Sequence, residues 1–321
     1  MKRSTLRGVL QAYGTLLALA LILVVFSLIK PASFCTLTNF INITRQISLL
    51  VMISLGTTLV MSVNEFDLSV GSMASLGGII AAVLAVKGLP MAVCFLLPVI
   101  ISFFIGLLNG WVVARFRVLS FITTLGMSTV LSGVIYRLSG GATIFEGIPK
   151  SFSFLGTAKL GRIPLLSILM VVFVALFFFL LEHTTLGRKF YAIGGNEETA
   201  KIAGIRVKKY KTIAFALCAV MACVTGMLIA SRVGSANTTA GDGYFLQSYA
   251  AVFIGCTVSR KGIPNAVGPG GRRPPGHSGQ RPHHPPDAQL HAEHHHRRHH
   301  HPGGHRPESR SRRRGVRRET I

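Results

Sequence analysis

Two carboxylates, Glu65 and Asp67, interrupt a long apolar stretch, in the segment Asn64-Glu65-Phe66-Asp67-Leu68-Ser69-Val70-Gly71-Ser72. Ionised groups at membrane depth are costly unless they meet water, protein or the interface. The segment therefore reads in one of two ways. It is a tight interfacial turn, with Asp67 or Ser69 capping the next helix, or it is a polar break lining a pathway. Gly71, Ala74, Ser75 and Gly78 follow at spacings that let another helix backbone come close.

A second group of polar residues lies between Leu186 and Lys211. Asn196 is an N-cap candidate, Glu197 and Glu198 occupy the positive end of the helix dipole, and Gly204 is a natural stop. Together they predict a short helix over 197–203, set between glycines and basic residues. Such a helix, projecting from a membrane domain, suits docking into a groove of a cytosolic partner; the alternative is an amphipathic surface helix lying on lipid headgroups. A third segment, Ser235-Ala-Asn-Thr-Thr-Ala-Gly-Asp-Gly-Tyr244, has turn composition and reads as a loop.

No enzyme constellation accompanies these segments. His183 is the only histidine before residue 269, and no Ser/His/Asp set, phosphate-binding glycine loop or metal-ligand spacing occurs. The five cysteines are scattered, without a C-x-x-C pair, so neither a disulfide framework nor a zinc site is expected. The chain is read as having no catalytic residue, no metal and no cofactor of its own. An ATP-driven process would need the ATPase, with its ATP and Mg, on another chain.

The elements that position these residues follow from composition. Half of the 321 residues are apolar, mean hydropathy is +0.51 and only 14% are charged. That is too apolar for an ordinary soluble domain and too weakly charged for a disordered chain. A hydrocarbon core of ~30 Å needs about 20 apolar residues per helix. Candidate spans lie at 13–29, 47–63, 68–86, 90–114, 118–138, 163–182 and 212–230, with an eighth run opening at Gln247. The runs are continuous rather than alternating, which excludes a β-barrel. The first exceeds a signal-peptide core and is followed by Lys30-Pro31 rather than a cleavage site, so it is a retained helix. Alternating the spans with the N-terminus inside puts 14 Lys and Arg on the inner side and 8 on the outer, as the positive-inside rule demands. The fold class is an all-α, polytopic transmembrane helix bundle of about eight spans.

The net charge of +23 is not evenly spread. Residues 1–268 carry 22 Lys and Arg against 7 acids, whereas residues 269–321 carry 12 Arg, no Lys, 11 of the 12 His and 8 of the 14 Pro. The chain thus divides into a membrane domain, 1–268, and a low-complexity polar tail, 269–321, read as disordered.

Several segments together resemble the permease subunits of bacterial ABC sugar importers of the ribose/xylose/arabinose/galactoside type. Gly56-Thr-Thr-Leu-Val-Met followed by Phe66-Asp-Leu-Ser-Val-Gly-Ser72 is similar to the family's first signature, with Asn64-Glu65-Phe66 in place of its usual Gly-Gly-Ile. Phe121-Ile-Thr-Thr-Leu-Gly-Met127 resembles the second. Thr185-Leu-Gly-Arg188, Gly194-Gly-Asn-Glu197 and Ala203-Gly-Ile205 resemble the cytoplasmic coupling loop, here 183–211. Thr239-Ala-Gly-Asp-Gly-Tyr244 and Ala250-Ala-Val252 resemble the late signature, while Gly255-Cys256 stands where the family favours Gly-Gly. The matches run in order over about residues 10–268.

The resemblance implies a multi-pass protein of the bacterial inner membrane, its N-terminus cytoplasmic, translocating a monosaccharide or related small polyol. It implies a second permease copy (homodimer or heterodimer), a cytosolic ABC ATPase and a periplasmic or lipid-anchored sugar-binding protein, and no nucleic acid. It places Gly195, Asn196, Glu197 and Glu198 in the ATPase-coupling helix, with Gly194, Ala200 and Gly204 completing that site. It places Asn64, Asp67, Ser69, Thr123 and Thr124 near the translocation path. Two rivals remain at this point: a metal-ion transporter using the His-rich tail as a trap, and an ion-coupled secondary carrier titrating buried carboxylates such as Asp67.

The family continues after Gly268 with two more apolar helices, which the tail replaces. Besides a His-rich metal-binding extension or a basic tail, a slipped reading frame accounts for this. Dropping one base turns His codons before His into Ile or Thr, and permits Ala or Val from Arg codons before His and Leu from Pro before Gly. The shifted tail then permits Val-Gly-Ala-Ala-Leu-Leu-Gly-Ile-Leu-Ala-Asn-Gly-Leu-Thr, an apolar continuation. On this reading the chain lacks roughly its last two spans.

Overall fold

In lipid a backbone can satisfy its own polar groups only as a helix or a closed barrel, and every apolar run is helical in the computed structural model, which describes residues 2–258. The tail, and the place where the resemblance leads one to expect two further spans, lie outside the described residues. The order is α1 (Lys2–Ile29), α2 (Pro31–Phe34), α3 (Leu37–Ser62), α4 (Val70–Val86), α5 (Met91–Phe116) and α6 (Ser120–Ser139). A 3-10 turn (Lys150–Ser153), α7 (Phe154–Thr157) and a two-residue antiparallel pair, β1 (Lys159–Leu160) and β2 (Ile163–Pro164), lead to α8 (Leu165–Phe178). There follow a π-helical turn (Phe179–His183), α9 (Thr185–Gly195), α10 (Glu197–Ile202), α11 (Val207–Val233) and α12 (Asp242–Val258).

Among the described residues, five helices are long and apolar enough to cross a membrane: α3, α5, α6, α11, and α8 with its π turn. Leu17–Ile29 within α1, and α4, are shorter apolar helices. Left-handed residues end several spans, Gly140 after α6 and Gly234 after α11, as the steric freedom of glycine favours.

Helix α11 is the centre, packed on α3, α4 and α5. Lipid tails are as apolar as the helices, so association rests on close van der Waals contact between small residues. Gly106 and Gly110 of α5 lie against Ala216 and Thr212, and Gly56 of α3 against Cys218. A Cβ on Gly226 would fall inside the Ala74 carbonyl. One apolar cluster joins Ile53, Val60, Met73, Ile79 and Phe215; another joins Leu59, Leu166, Phe190, Ile193 and Ala214.

The connections segregate to two ends, as alternating spans require. At one end Lys211, at the start of α11, meets Glu65 from the α3–α4 turn and Glu197 from α10. At the other, Ile144 and Ala236 exchange two backbone hydrogen bonds of 2.9 Å, and Gly156 donates to Ser231 Oγ at 2.9 Å.

The last helix departs from expectation: it begins at Asp242, not Gln247. The segment after Gly234 is not simply an outer loop. It folds back between helices until Gly241 donates its N–H to Ser75 Oγ (2.9 Å) and packs on the Gly71 backbone, against the first turns of α4. A Cβ at position 241 would overlap the Gly71 carbonyl, so that approach requires glycine there, while a Cβ at Gly71 would be tight.

Candidate coupling and translocation site

The break between α3 and α4 is held by side chains from other helices. Buried amides need partners, and here four in succession find them. Phe66 N–H donates to Ser120 Oγ (3.1 Å), Asp67 N–H to Tyr249 Oη (2.7 Å), Leu68 N–H to Thr124 Oγ1 (2.9 Å) and Ser69 N–H to Asp67 Oδ1 (2.9 Å). Asn64 takes a left-handed φ of 59°, which asparagine tolerates better than most residues. Asp67 is 1% exposed. Its Oδ1 also accepts from Ser69 Oγ at 2.5 Å, and Asn109 Nδ2 donates to that hydroxyl at 3.1 Å. Asp67 Oδ2 and Asn109 Oδ1 are buried without a hydrogen-bond partner among the described residues. A further pair, Ser72 and Ser128 hydroxyls at 2.7 Å, extends this polar seam between α4 and α6.

The structure thus unites Asp67, Ser69 and Thr124, with Asn64 in the same turn. It does not bring in Thr123, whose hydroxyl reaches only the Leu119 carbonyl within its own helix (3.4 Å). The capping expectation is half right. Ser69 is the N-cap of α4, but its side chain caps nothing; Asp67 accepts the Ser69 N–H instead.

Glu65 belongs to a different arrangement. Its Oε1 receives Lys211 Nζ at 2.6 Å, and the same ammonium reaches Glu197 Oε2 at 2.7 Å. Lys201 then joins Glu197 and Glu198, both at 2.8 Å. The side chains of Lys211 and Glu65 are only 13% and 14% exposed. Hydrogen bonds from Lys201 and then Lys211 hold the Glu197 carboxyl down to about 2. A continuous run of charges therefore links α10 to the turn that carries Asp67.

The short helix expected over 197–203 is α10, and a second helix, α9, precedes it in the same loop. Gly194 and Gly195 close the last turn of α9 rather than leading into α10. Gly194 packs on the Ser62 carbonyl with no room for a side chain, whereas Gly195 has open space around it. Thr184 Oγ1 caps α9 by accepting from Leu186 and Gly187. Asn196 Oδ1 caps α10 by accepting Thr199 N–H at 2.9 Å, and Gly204, at φ 78°, stops it. Ala200 faces inward, while Ile202 at the end of α10 is 88% exposed.

Sequence reasoning missed Asn109, Ser120, Tyr249 and Lys211 as members of these clusters. Asn109 carried a signal, an amide deep in an apolar run; Lys211 carried another, a cation one turn inside a span.

Residues 39–269 match the family described as branched-chain amino acid transport system / permease component. The chain belongs to this permease family. It is 35% identical to the ribose import permease protein RbsC of Escherichia coli (strain K12), over 81% of each chain. It is 30% identical to the D-allose transport system permease protein AlsC of the same strain, over 76% of this chain and 75% of that one. It is 28% identical to the xylose transport system permease protein XylH of Haemophilus influenzae, over 81% of this chain and 85% of that one. No solved structure matches the chain. In a permease, the work of such a site is positioning: one cluster fixes the bend between two helices, and the other attaches a projecting helix to it.

Proposed function

We propose that this permease is the membrane-spanning subunit of an ATP-binding-cassette importer for a monosaccharide or related small polyol. It lies in a bacterial inner membrane with its N-terminus in the cytoplasm. ATP hydrolysis takes place on a cytosolic partner, a second permease copy completes the pathway, and a periplasmic or lipid-anchored binding protein delivers the sugar. The relatives named for ribose, allose and xylose support the substrate class. The observation that carries the mechanism is the capped α10, exposing Ile202 and joined through Glu197, Lys211 and Glu65 to the α3–α4 break. Closure of the ATPases pushes α10, Lys211 carries the displacement to Glu65, and the turn holding Asp67 is re-aimed. Alternating access follows, and no bond chemistry falls to this chain. The test is co-purification of the membrane chain with its cytosolic ATPase, and its loss in Asn196→Ala, Ile202→Asp double variants. Failure of the ATPase to associate, with uptake collapsed by ionophores but indifferent to vanadate, would replace this reading by an ion-coupled carrier.

For the tail, residues 269–321, the same reading extends to the gene. The family match ends at residue 269, where the composition changes from membrane-like to Arg/His/Pro-rich. We propose that the tail is a shifted reading frame in place of two further spans. A polar tail cannot cover the bundle faces those helices would bury, so the chain with this tail transports poorly or not at all. Sequencing the coding DNA from the Gly268 codon through the stop decides this. An unaltered frame would make the tail genuine and turn attention to metal binding by residues 294–301.

A further inference from the structure

The fold-back of residues 235–241 has a chemical result. By starting α12 at Asp242, against α4, it brings Tyr244 and Gln247 opposite Gln46 of α3 and Arg232 in the last turn of α11. These four side chains, with Ile47 and Leu50, line a recess of about 400 Å³. That volume is within the ~300–1,000 Å³ of small-molecule sites. Unlike the charges near Glu65, none of the four has a hydrogen-bond or salt-bridge partner among the described residues. Gln46 and Gln247 are exposed beside Ile47 and Leu246, which are exposed too. Two glutamine amides and a guanidinium turned toward lipid would leave many donors unmet. Arg232 lines the recess instead, with no acid against it among the described residues.

We infer that this recess is a contact site for the transported sugar at the outer half of the path, and that Gln46, Arg232, Tyr244 and Gln247 meet its hydroxyls. The inference rests on the permease reading above, which sets the Ile144–Ala236 end outside. The chemistry suits a polyhydroxylated solute. The amides donate and accept, the guanidinium donates in a planar fork, and the phenol does both. No carboxylate lines the recess to hold a cation.

The test is thiol labelling of the full chain in right-side-out membrane vesicles. Cys35 is exposed and Cys256 partly so, and both are first replaced in a Cys35→Ser, Cys256→Ser background; Cys94, Cys218 and Cys223 are buried. Gln46→Cys and Gln247→Cys, made separately, should react with a membrane-impermeant maleimide, whereas Phe104→Cys, exposed on the apolar surface of α5, should not. Ribose, allose or xylose at ~50 mM, above a millimolar dissociation constant, should slow that labelling about twofold or more. Potassium chloride of equal osmolarity should not. Three results each overturn the inference: reaction only with a lipid-soluble maleimide, reaction only in inverted vesicles, or labelling that no sugar slows. A variant that fails to insert is identified by its absence from the membrane fraction on immunoblot, and the other position then decides. ATPase co-purification, measured on the same chain, stands apart from these outcomes and tests the permease reading itself.

Discussion

Lys211 and Arg232 lie near opposite ends of α11, yet only Lys211 is paired. Lys211 is nearly enclosed and divides itself between Glu65 and Glu197. Arg232 faces a recess with two glutamines and a tyrosine and meets no acid among the described residues. The contrast separates two uses of charge in a membrane protein. A desolvated cation held between two carboxylates fixes the geometry of three elements at once. A cation left open among neutral hydrogen-bonding groups keeps its donors for something that arrives and leaves.

The contrast can be broken most strongly at Lys211. Lys211→Met leaves Glu65 enclosed without its counter-charge, and a loss of about 2–4 kcal/mol is expected, somewhat below that for fully buried pairs. Thermal unfolding in detergent measures it, and Lys211→Arg should restore most of the loss. Next in size is Asn196→Ala, which removes the α10 cap. It should cost ~1 kcal/mol locally and appear as weaker ATPase association with little change in overall melting. Arg232→Met sharpens the comparison from the other side. With no partner to strand, it should change stability by less than about 0.5 kcal/mol, while weakening the protection that sugar gives Gln46→Cys against maleimide. The smallest effect concerns pH. The Glu197 carboxyl is lowered from 4.5 to about 2, so its pairing contributes fully above pH 4.5 and is lost as pH falls toward 2. Helix α10 should therefore keep its hydrogen-exchange protection unchanged from neutral pH down to about pH 5.

The spans were legible because a membrane leaves an apolar run only one backbone solution. Helix α10 was legible because Asn196, Glu197, Glu198 and Gly204 are local signals acting within two turns. The break at Asn64–Ser69 was visible as a polar interruption, but not what holds it: Ser120, Thr124 and Tyr249 come from other helices, and no local pattern pairs them. The fold-back before α12 was hidden for a related reason. Ser, Thr, Asn and Gly favour a turn equally well in water or between helices, and Ser75, which receives Gly241, is remote in sequence. Gly194 gave no local sign of closing α9, because its place there depends on docking against Ser62. Arg232 counted at first only as one outer charge among several.

The glycine contacts of the core carry a mechanical meaning. Where Gly106 and Gly110 touch α11, and where Gly226 touches Ala74, backbone meets backbone with no flexible side chain between. Such joints have little compressibility. Helices α4, α5 and α11 therefore behave as a stiff spine, able to pivot but not to shear. On the proposed coupling, a push entering at Lys211 would turn that spine as one lever, and the give would have to come from its surroundings. Helices α6 and α8, which bury few of their residues, are the flanks along which it can slide.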